Sequence, residues 1–453
     1  MKHFVTMIRQ AYFANDVDAL IPELWAMEGL MALHENMLMA GLVYRDFEEK
    51  VAEYGDTVNA HIPASFTALR KADSDEVEVQ DAVITNVPVV MNQHVYTSFM
   101  IKDGQESKSF KDLFTELMEP AIISIANFVE QALCYELYSF IGNSVGKLGT
   151  APDVDTMIDL RGKMNTNLAP PGNRFLVVPD TIETDLLKAD DFHEANKLGD
   201  MGLAIREGAL GRKLGFDIFM TQNMPSIGAG STTYALAANG AAAIGDTTID
   251  YDGLSGNVVT VGEWFTAVGD MQPHMITADT GTTLTFTPAL QAGVANDAVI
   301  TVYTAGAVNL VAGYDANYSK DLVIEGFAIA PKQGQLVSFG ITTPRYGAMN
   351  TPTTIAMLLS KGLEGAVTND DVVGIGPAGN YGLAFNPKAM ALVSRPLALP
   401  RAKLADAAVI NYNNLSMRVT ITYDGAKQGH LVTVDMLLGI KTLNTDLGAP
   451  LLG

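Results

Sequence analysis

Apolar positions follow two different periods in the first hundred residues. Residues 1–55 place Met and Leu at helical spacing, which predicts an amphipathic N-terminal arm. Residues 56–105 change to a period of two, which predicts an extended β-hairpin loop. The change of period marks the first boundary in the chain.

The predicted hairpin has apolar residues at every second position of both strands. They are Val58, Ala60 and Ile62 on the outgoing strand, and Val77 and Val79 on the return strand. The charged tip between the strands offers five candidate contact residues: Arg70, Lys71, Asp73, Asp75 and Glu76. Because an isolated hairpin is barely stable in water, we expect this loop to lie on its own body or on a partner.

Residues 106–152 contain the strongest helical pattern in the sequence. Apolar residues recur at helical spacing from Ser109 onward, and Gly142 is a natural C-terminal stop. Pro120 lacks a backbone N–H, so it should kink or split the helix. The pattern predicts a long helix in this region.

Residues 153–223 alternate between helical and strand patterns. A helix is predicted from Asp153 to Met164, and strands are predicted at Arg174–Val178 and at Phe216–Met220. This alternation indicates an α/β body.

Residues 224–379 are rich in Gly, Thr, Ala and Val, with many turn signals, which predicts an all-β domain. Residues 280–302 resemble residues 351–375, with Asn296-Asp297 matching Asn369-Asp370. The similarity predicts two tandem β modules. Convergent strand and turn composition is the alternative.

Residues 380–453 return to mixed character and complete an α+β chain. The stretch from Met417 to Tyr423 alternates, which predicts a strand with one buried face, and Leu431–Leu438 predicts another strand. The final residues, 447–453, contain Gly and Pro, and we expect an exposed end there.

Composition narrows the possible partners. The 453 residues are 48% hydrophobic but only 18% charged, against roughly 25% charged in ordinary soluble domains. Much of the surface is therefore expected to contact protein, and further copies of the chain are the simplest candidates. The net charge of −22 repels phosphate backbones, which argues against sequence-specific nucleic-acid binding.

The sequence predicts neither membrane insertion nor secretion. The N-terminus lacks an apolar stretch long enough for a signal peptide, and the longest apolar run, residues 121–141, is interrupted by Glu130 and Glu136. The single cysteine, Cys134, lies in an apolar helical pattern and is interpreted as an inert core thiol.

Gly374–Gly379 is the motif that most resembles an enzyme signature. It fits the G-x-G-x-x-G turn of dinucleotide-binding folds, so a flavin- or nucleotide-binding oxidoreductase is an alternative function. Gly382 and Pro387 interrupt any following helix, and an acidic residue is missing about 20 residues on. We therefore expect a turn here, with no cofactor.

The sequence predicts no catalytic residue and no metal site. None of the seven histidines stands at metal-ligand spacing, and the densest cluster, Asp190–Glu194, is interpreted as a solvated face. We expect a protein that is not an enzyme.

The order of these elements resembles the HK97-like fold of the major capsid proteins of tailed bacteriophages. Residues 202–219 are similar to a helix-turn-strand passage of such subunits, and residues 380–397 are similar to the strand that follows an insertion. The layout is most similar to coat proteins of short-tailed phages with an inserted β domain.

The resemblance implies a division of the chain into five parts. They are an N-terminal arm (1–55), an extended loop that overlaps a neighbouring subunit (56–105), a peripheral domain with the spine helix (106–152), a split axial domain (153–223 and 380–453) and an inserted β domain (224–379). The five charged residues at the loop tip then become candidates for inter-subunit contacts.

The resemblance also implies the biology. Copies of the chain would form pentamers and hexamers of an icosahedral shell around viral DNA, within the virion. Assembly would take place in the cytoplasm of the bacterial host, with a separate scaffolding protein and a portal as further partners. A tail or adhesin protein built from β modules is the other alternative function.

Overall fold

A computed structural model describes the larger part of the chain. The described residues are 37–45, 56–62, 66, 68–71, 73, 76–77, 79–81, 85–102, 117–189, 192, 208, 210–228, 232–253, 258–304, 308–340, 345–349, 352–400, 405–412 and 415–453. They contain both helices and strands, which agrees with the predicted mixed α+β class.

The N-terminal region contains a short helix and a hairpin. Helix α1 spans Met39–Leu42, strand β1 spans Thr57–Ile62, and strand β2 spans Thr85–Val90. β1 and β2 are antiparallel, with Ala60 opposite Val87. The predicted outgoing strand is therefore confirmed.

The predicted return strand is wrong. Val77 and Val79 lie outside the strands and are 77% and 86% exposed, whereas the return strand begins eight residues later than Val77, at Thr85. Alternation alone does not make a strand where neither face is covered. Val89 on β2 is fully buried, so pairing forms at the later site.

The second sheet is five-stranded and antiparallel. Its strands are β3 (Gln93–Lys102), β21 (Met390–Arg395), β22 (Ala405–Tyr412), β23 (Leu415–Asp424) and β24 (Gly429–Thr442). Their order is β21-β24-β23-β22, and all ten residues of β3 pair with Gly429–Leu438 of β24. The strands predicted at 417–423 and 431–438 are confirmed.

Helix α2 spans Glu119–Cys134 and continues as a 3-10 helix, Tyr135–Asn143, which ends one residue beyond the predicted stop. Pro120 lies in the first turn of α2, where its missing N–H needs no partner within the helix. Leu117 and Met118, directly before α2, form a π turn, and Ser109 lies outside the described residues, so the predicted kink or split at Pro120 stays a prediction.

The α/β body has a sheet of seven short strands. They are β4 (Val145–Gly146), β5 (Phe175–Val178), β6 (Arg212–Lys213), β7 (Phe216–Met220), β8 (Ser226–Ile227), β20 (Gly379–Phe385) and β25 (Gly448–Leu452). Helices α3 (Val154–Thr166) and α4 (Asp180–Lys188) belong to the same part of the chain. The helix and both strands predicted between residues 153 and 220 are confirmed.

The C-terminal end is buried, and the expectation of an exposed end is wrong. Strand β25 lies between β20 and β4, and each of its five residues is buried. A strand covered on both faces is apolar throughout and shows no alternation. Gly448 and Pro450 therefore gave a turn signal inside a central strand.

The first β unit, residues 232–304, is a closed six-stranded barrel. Its strands are β9 (Thr232–Ala238), β10 (Thr248–Asp252), β11 (Trp264–Ala267), β12 (Asp270–Asp279), β13 (Thr283–Thr287) and β14 (Val299–Thr304). The order around the barrel is β10-β13-β12-β11-β14-β9, and β9 closes it by pairing with β10. Phe265, Phe286 and Ile300 lie in its buried core.

The second β unit, residues 308–375, is a smaller five-stranded sheet. Its strands are β15 (Leu322–Val323), β16 (Leu336–Phe339), β17 (Tyr346–Met349), β18 (Ala356–Leu359) and β19 (Val373–Ile375), in the order β15-β18-β17-β16-β19. Trp264 Nε1 of the first unit donates a hydrogen bond to Ser338 Oγ of the second, at 2.9 Å. The two units therefore share a buried polar contact.

Candidate functional site

The predicted loop tip is solvent-exposed wherever the structure describes it. Arg70, Lys71, Asp73 and Glu76 are exposed, and Asp75 lies outside the described residues. Among these four described residues, no two form an ion pair with each other. The four described residues can therefore be reached by another molecule.

The same loop exposes apolar side chains. Phe66 is 65% exposed, Leu69 is 54% exposed, and both Val77 and Val79 exceed them. Clustered apolar exposure marks surfaces that gain free energy when another surface covers them. The loop tip therefore combines charge with apolar side chains that its own body does not cover.

The base of the loop, in contrast, is held firmly in the body. Asp435 on β24 is buried and accepts hydrogen bonds from His94 Nε2 on β3 and from Arg418 Nε on β23, both at 2.9 Å. Burial opposes the charge on Asp435, but His94 and Arg418 outweigh it and lower the pKa of the carboxyl group. Gln93 Nε2 also donates to Ser360 O, at 2.9 Å. A fixed base thus carries an exposed tip.

The described part of the N-terminal arm docks on helix α2. Both carboxylate oxygens of Glu130 lie 2.9 Å from the Met39 backbone N–H, so this buried side chain caps helix α1. Burial raises the pKa of Glu130 to about 7, although hydrogen bonds from the backbone N–H groups lower it. Residues 37–45 therefore lie against their own body.

A buried charge network joins the second β unit to the body, and sequence reasoning missed it. Lys361 Nζ lies 2.9 Å from Glu136 Oε1 and 2.7 Å from Glu364 Oε1. Lys441 pairs with the other oxygen of Glu364, and Thr442 donates to Glu136 from its N–H at 3.2 Å and from its hydroxyl. Three parts of the chain, remote in sequence, meet at this point.

The charges in this network support one another. Burial disfavours the ammonium group of Lys361, but Glu136 and Glu364 outweigh burial and raise its pKa. Burial also disfavours the carboxylate of Glu364, yet Lys361 and Lys441 together lower its pKa. Lys361 and Glu364 are therefore both charged at neutral pH, and their ion pairs tie the second unit to the body.

The glycine-rich stretch, residues 374–379, joins strand β19 to strand β20. Gly374 lies in β19, and a Cβ atom there would come within 2.1 Å of the Gly262 carbonyl oxygen. Strand β20 follows directly at Gly379, where a dinucleotide-binding turn would require a helix. Gly374 thus allows two backbones to pack closely, and Gly376 and Gly379 leave room for the side chains of Leu336 and Leu148, which accounts for the motif without a ligand.

Two features typical of metalloproteins and membrane proteins are absent from the described residues. Within them, no group of three or more His, Cys, Asp or Glu side chains is arranged to hold a metal ion. Among the same residues, no helix is both long and apolar enough to cross a membrane.

One family model matches part of the chain. Residues 100–273 match a family model described as phage capsid protein, Phage_capsid_4. This match covers the last three residues of β3, helix α2, the first part of the body and just over half of the first β unit. No curated protein matches the sequence.

Solved structures of several phages align over most of the chain. A structure titled Mycobacterium phage Che8 is 13% identical, covers 92% of this chain and 90% of its own, and has a TM-score of 0.42. The capsid of Ralstonia phage GP4 is 8% identical, with 90% and 86% covered and a TM-score of 0.42. The capsid of cyanophage P-SCSP1u is 10% identical, with 91% of each chain covered and a TM-score of 0.41. Because these TM-scores lie below 0.5, the family match is the comparison that bears on function.

Proposed function

We propose that this chain, a phage major capsid protein, is the repeating subunit of an icosahedral shell that encloses the DNA of a tailed bacteriophage. The family match over residues 100–273 is the observation that carries the proposal. The shell would be built from pentamers and hexamers in the cytoplasm of the bacterial host. A separate scaffolding protein and a portal are proposed as further partners.

The proposed fold is HK97-like, with the five parts expected from the sequence. The hairpin β1–β2 would begin the extended loop, α2 would be the spine helix, and the body sheet would form the axial domain. The two β units would be tandem modules of a β domain inserted between residues 224 and 379. The sheet neighbours β5 and β20, which flank these units in the chain, support this reading.

The proposed mechanism is geometric rather than catalytic, so we propose neither an active site nor a cofactor. Heterologous contacts that close as rings of five or six generate a shell. The loop tip supplies one such contact, because its exposed Phe66, Leu69, Val77 and Val79 would be covered by a neighbouring copy. Arg70, Lys71, Asp73, Asp75 and Glu76 would then set its register by pairing with charges on that neighbour.

The net charge of −22 shapes both the contents and the assembly of the shell. An acidic wall encloses DNA without gripping it through sequence-specific contacts. Like charge on every copy opposes association, so shell formation should become more favourable as added salt screens the repulsion.

Deleting residues 64–76 tests the role of the loop tip. The deleted segment lies beyond the last paired residue of β1, so the subunit should keep its fold but fail to form shells. Circular dichroism reports the fold, and sedimentation with negative-stain imaging reports the particles. Normal particles from the deletion variant would refute the role of the loop.

A variant with four substitutions tests the same role without a deletion. Replacing four loop residues by Ser (Phe66, Leu69, Val77 and Val79) should abolish assembly without loss of subunit stability. The matched control replaces two exposed apolar residues of the body, Ile158 and Leu168, which are 49% and 88% exposed. Equal loss of assembly in both variants would show that generic surface hydrophobicity, and not the loop, drives association.

A further inference from the structure

A cleft of about 710 Å³ lies where the two β units meet the 3-10 helix Tyr135–Asn143 and the end of strand β24. Its lining includes Asn143, Pro288, Arg345, Glu364, Lys441 and Asn444. The lining thus combines both β units with the body, and its charged residues are two cations, Arg345 and Lys441, and two carboxylates, Glu364 and Asp446.

Arg345 is the unusual residue of this cleft. Its side chain is only 8% exposed, and its Cζ atom lies 5.0 Å from the centroid of the Trp264 ring. The Arg345 Nε atom is buried without a hydrogen-bond partner. Across the part of the chain that the structure describes, no carboxylate pairs with this guanidinium group. Burial lowers the pKa of Arg345 to about 10.

The neighbouring charges leave the positive charge of Arg345 uncompensated. Lys361 and Lys441 are already balanced by Glu136 and Glu364 through close ion pairs. Stacking on Trp264 offsets only part of the free energy lost when a guanidinium group leaves water. The cleft therefore contains a buried guanidinium group whose Nε–H has no acceptor among the described residues.

We propose that Arg345 anchors a binding site for an oxyanion, a phosphate or carboxylate group, in the cleft between the two β units and the body. A planar guanidinium fork matches the oxygen geometry of both groups and binds them with two parallel hydrogen bonds. Lys441 also lines the cleft, but its charge is already paired with Glu364, so Arg345 is the anchoring cation. The oxyanion comes either from a dissolved ion or from an Asp or Glu side chain of a second copy of this acidic chain.

Thermal unfolding of the purified subunit tests the first source. Sodium phosphate is titrated at constant ionic strength, with chloride as the balancing ion. We expect the Tm of the natural chain to rise with the phosphate concentration, because a ligand that binds only the folded state stabilises it by mass action. Arg345→Met should fold, since it removes an uncompensated buried charge, and its Tm should not respond to phosphate.

Arg212→Met is the matched control, because the Arg212 side chain is 62% exposed and lies outside the cleft. This variant should show the same phosphate response as the natural chain. An Arg345→Met subunit whose Tm rises with phosphate as much as that of the natural chain would overturn the proposal, because the ion would then bind elsewhere.

Shells prepared in chloride alone test the second source. If a neighbouring carboxylate fills the site, Arg345→Met shells dissociate at a lower denaturant concentration than Arg212→Met shells. Absence of a phosphate response together with equal shell stability overturns the proposal. If the natural chain forms no shells, the phosphate titration alone decides, so this site and the proposed capsid function can fail separately.

Discussion

The two β units have the same strand order but bury different polar groups. When β10–β14 are matched with β15–β19, these five strands follow the same order in both units, and β9, which closes the barrel, has no counterpart in the second. A turn recurs as well. Thr260 N–H donates to Glu263 Oε2 at 3.1 Å, and Lys332 N–H donates to Gln335 Oε1 at 3.0 Å, 72 residues later.

A second turn is shared in the same way. Asp297 and Asp370 both adopt a left-handed backbone, with φ of 60° and 68°. In each case the preceding Asn donates its side-chain amide to the Asp carboxylate, at 2.7 Å for Asn296 and 2.9 Å for Asn369. Asn and Asp tolerate this conformation better than most residues, which fits the recurrence of this pair of residues in the two units.

The difference lies in where each unit satisfies its buried charge. In the first unit, Asp270 and His274 are fully buried and face each other at 3.6 Å inside the barrel. In the second unit, Lys361 reaches out of the unit to Glu136 of the body. The comparison teaches that one strand plan can serve either as a self-contained barrel or as a unit completed by its neighbour.

The largest effect is expected from breaking the tie of the second unit. Lys361→Met leaves Glu136 buried without its cation, and loss of one partner of a buried pair costs about 3–5 kcal/mol. Denaturant unfolding at neutral pH should therefore show a loss of that size. Hydrogen exchange should place the loss in the second unit.

Lys163→Met is the matched control. Lys163 lies on helix α3 of the body and contacts the first unit. Lys163 Nζ donates to the neutral Gln291 side chain at 2.8 Å, so its removal should cost about 1 kcal/mol. Adding Glu136→Gln to Lys361→Met should recover part of the larger loss. Equal losses for the two Lys→Met variants would contradict the idea that the units are attached differently.

A smaller effect is expected where the two units touch. Gly374→Ala would place a Cβ atom against the Gly262 carbonyl oxygen, a backbone atom that cannot rotate away. Because the two units must then separate, we expect a loss of about 3 kcal/mol. Gly365→Ala, at a position with open space around it, should be neutral or slightly stabilising. Similar unfolding midpoints for both variants would show that the contact between the units is not tight.

Much of this fold could be predicted from the sequence, because local patterns carry it. The strand at 417–423 and the helix from 153 to 164 have one buried face, so their periods are visible. The strand β25 has two buried faces and shows no period, and Pro450 added a false turn signal. The return strand was predicted too early in the chain, because Val77 and Val79 alternate on a segment that the body does not cover.

The buried charges could not be predicted in the same way. Lys361 and Glu136 are 225 residues apart, and each looks like an ordinary charge within its own segment. Arg345 likewise gives no signal in sequence, since its burial arises from Trp264 on a different unit. Such sites depend on which distant elements meet, and this requires the tertiary structure. The five loop-tip candidates stay predictions, because the partner that would contact them is another molecule.

The smallest effect is expected from the internal pair of the first unit. Asp270 Oδ2 accepts the backbone N–H groups of Gln291 and Ala292, at 2.5 and 3.0 Å, in addition to facing His274. Asp270→Asn weakens these charge-assisted hydrogen bonds, so we expect a loss of about 2 kcal/mol at neutral pH. Hydrogen exchange should place this loss in the first unit, and exchange in the second unit should stay unchanged.

The pH dependence of the same variant completes the comparison. Burial disfavours the Asp270 carboxylate, but His274 and the two backbone N–H groups outweigh burial and lower its pKa. A carboxyl group whose folded pKa is lowered stabilises the fold above its ordinary pKa, near 4, and this contribution is lost as the pH falls through the folded value. The stability difference between the natural chain and Asp270→Asn should therefore be constant from pH 7 to about 5 and should shrink below pH 4. A difference that persists undiminished at lower pH, or that appears in the second unit, would mean that the first barrel does not satisfy its charge internally.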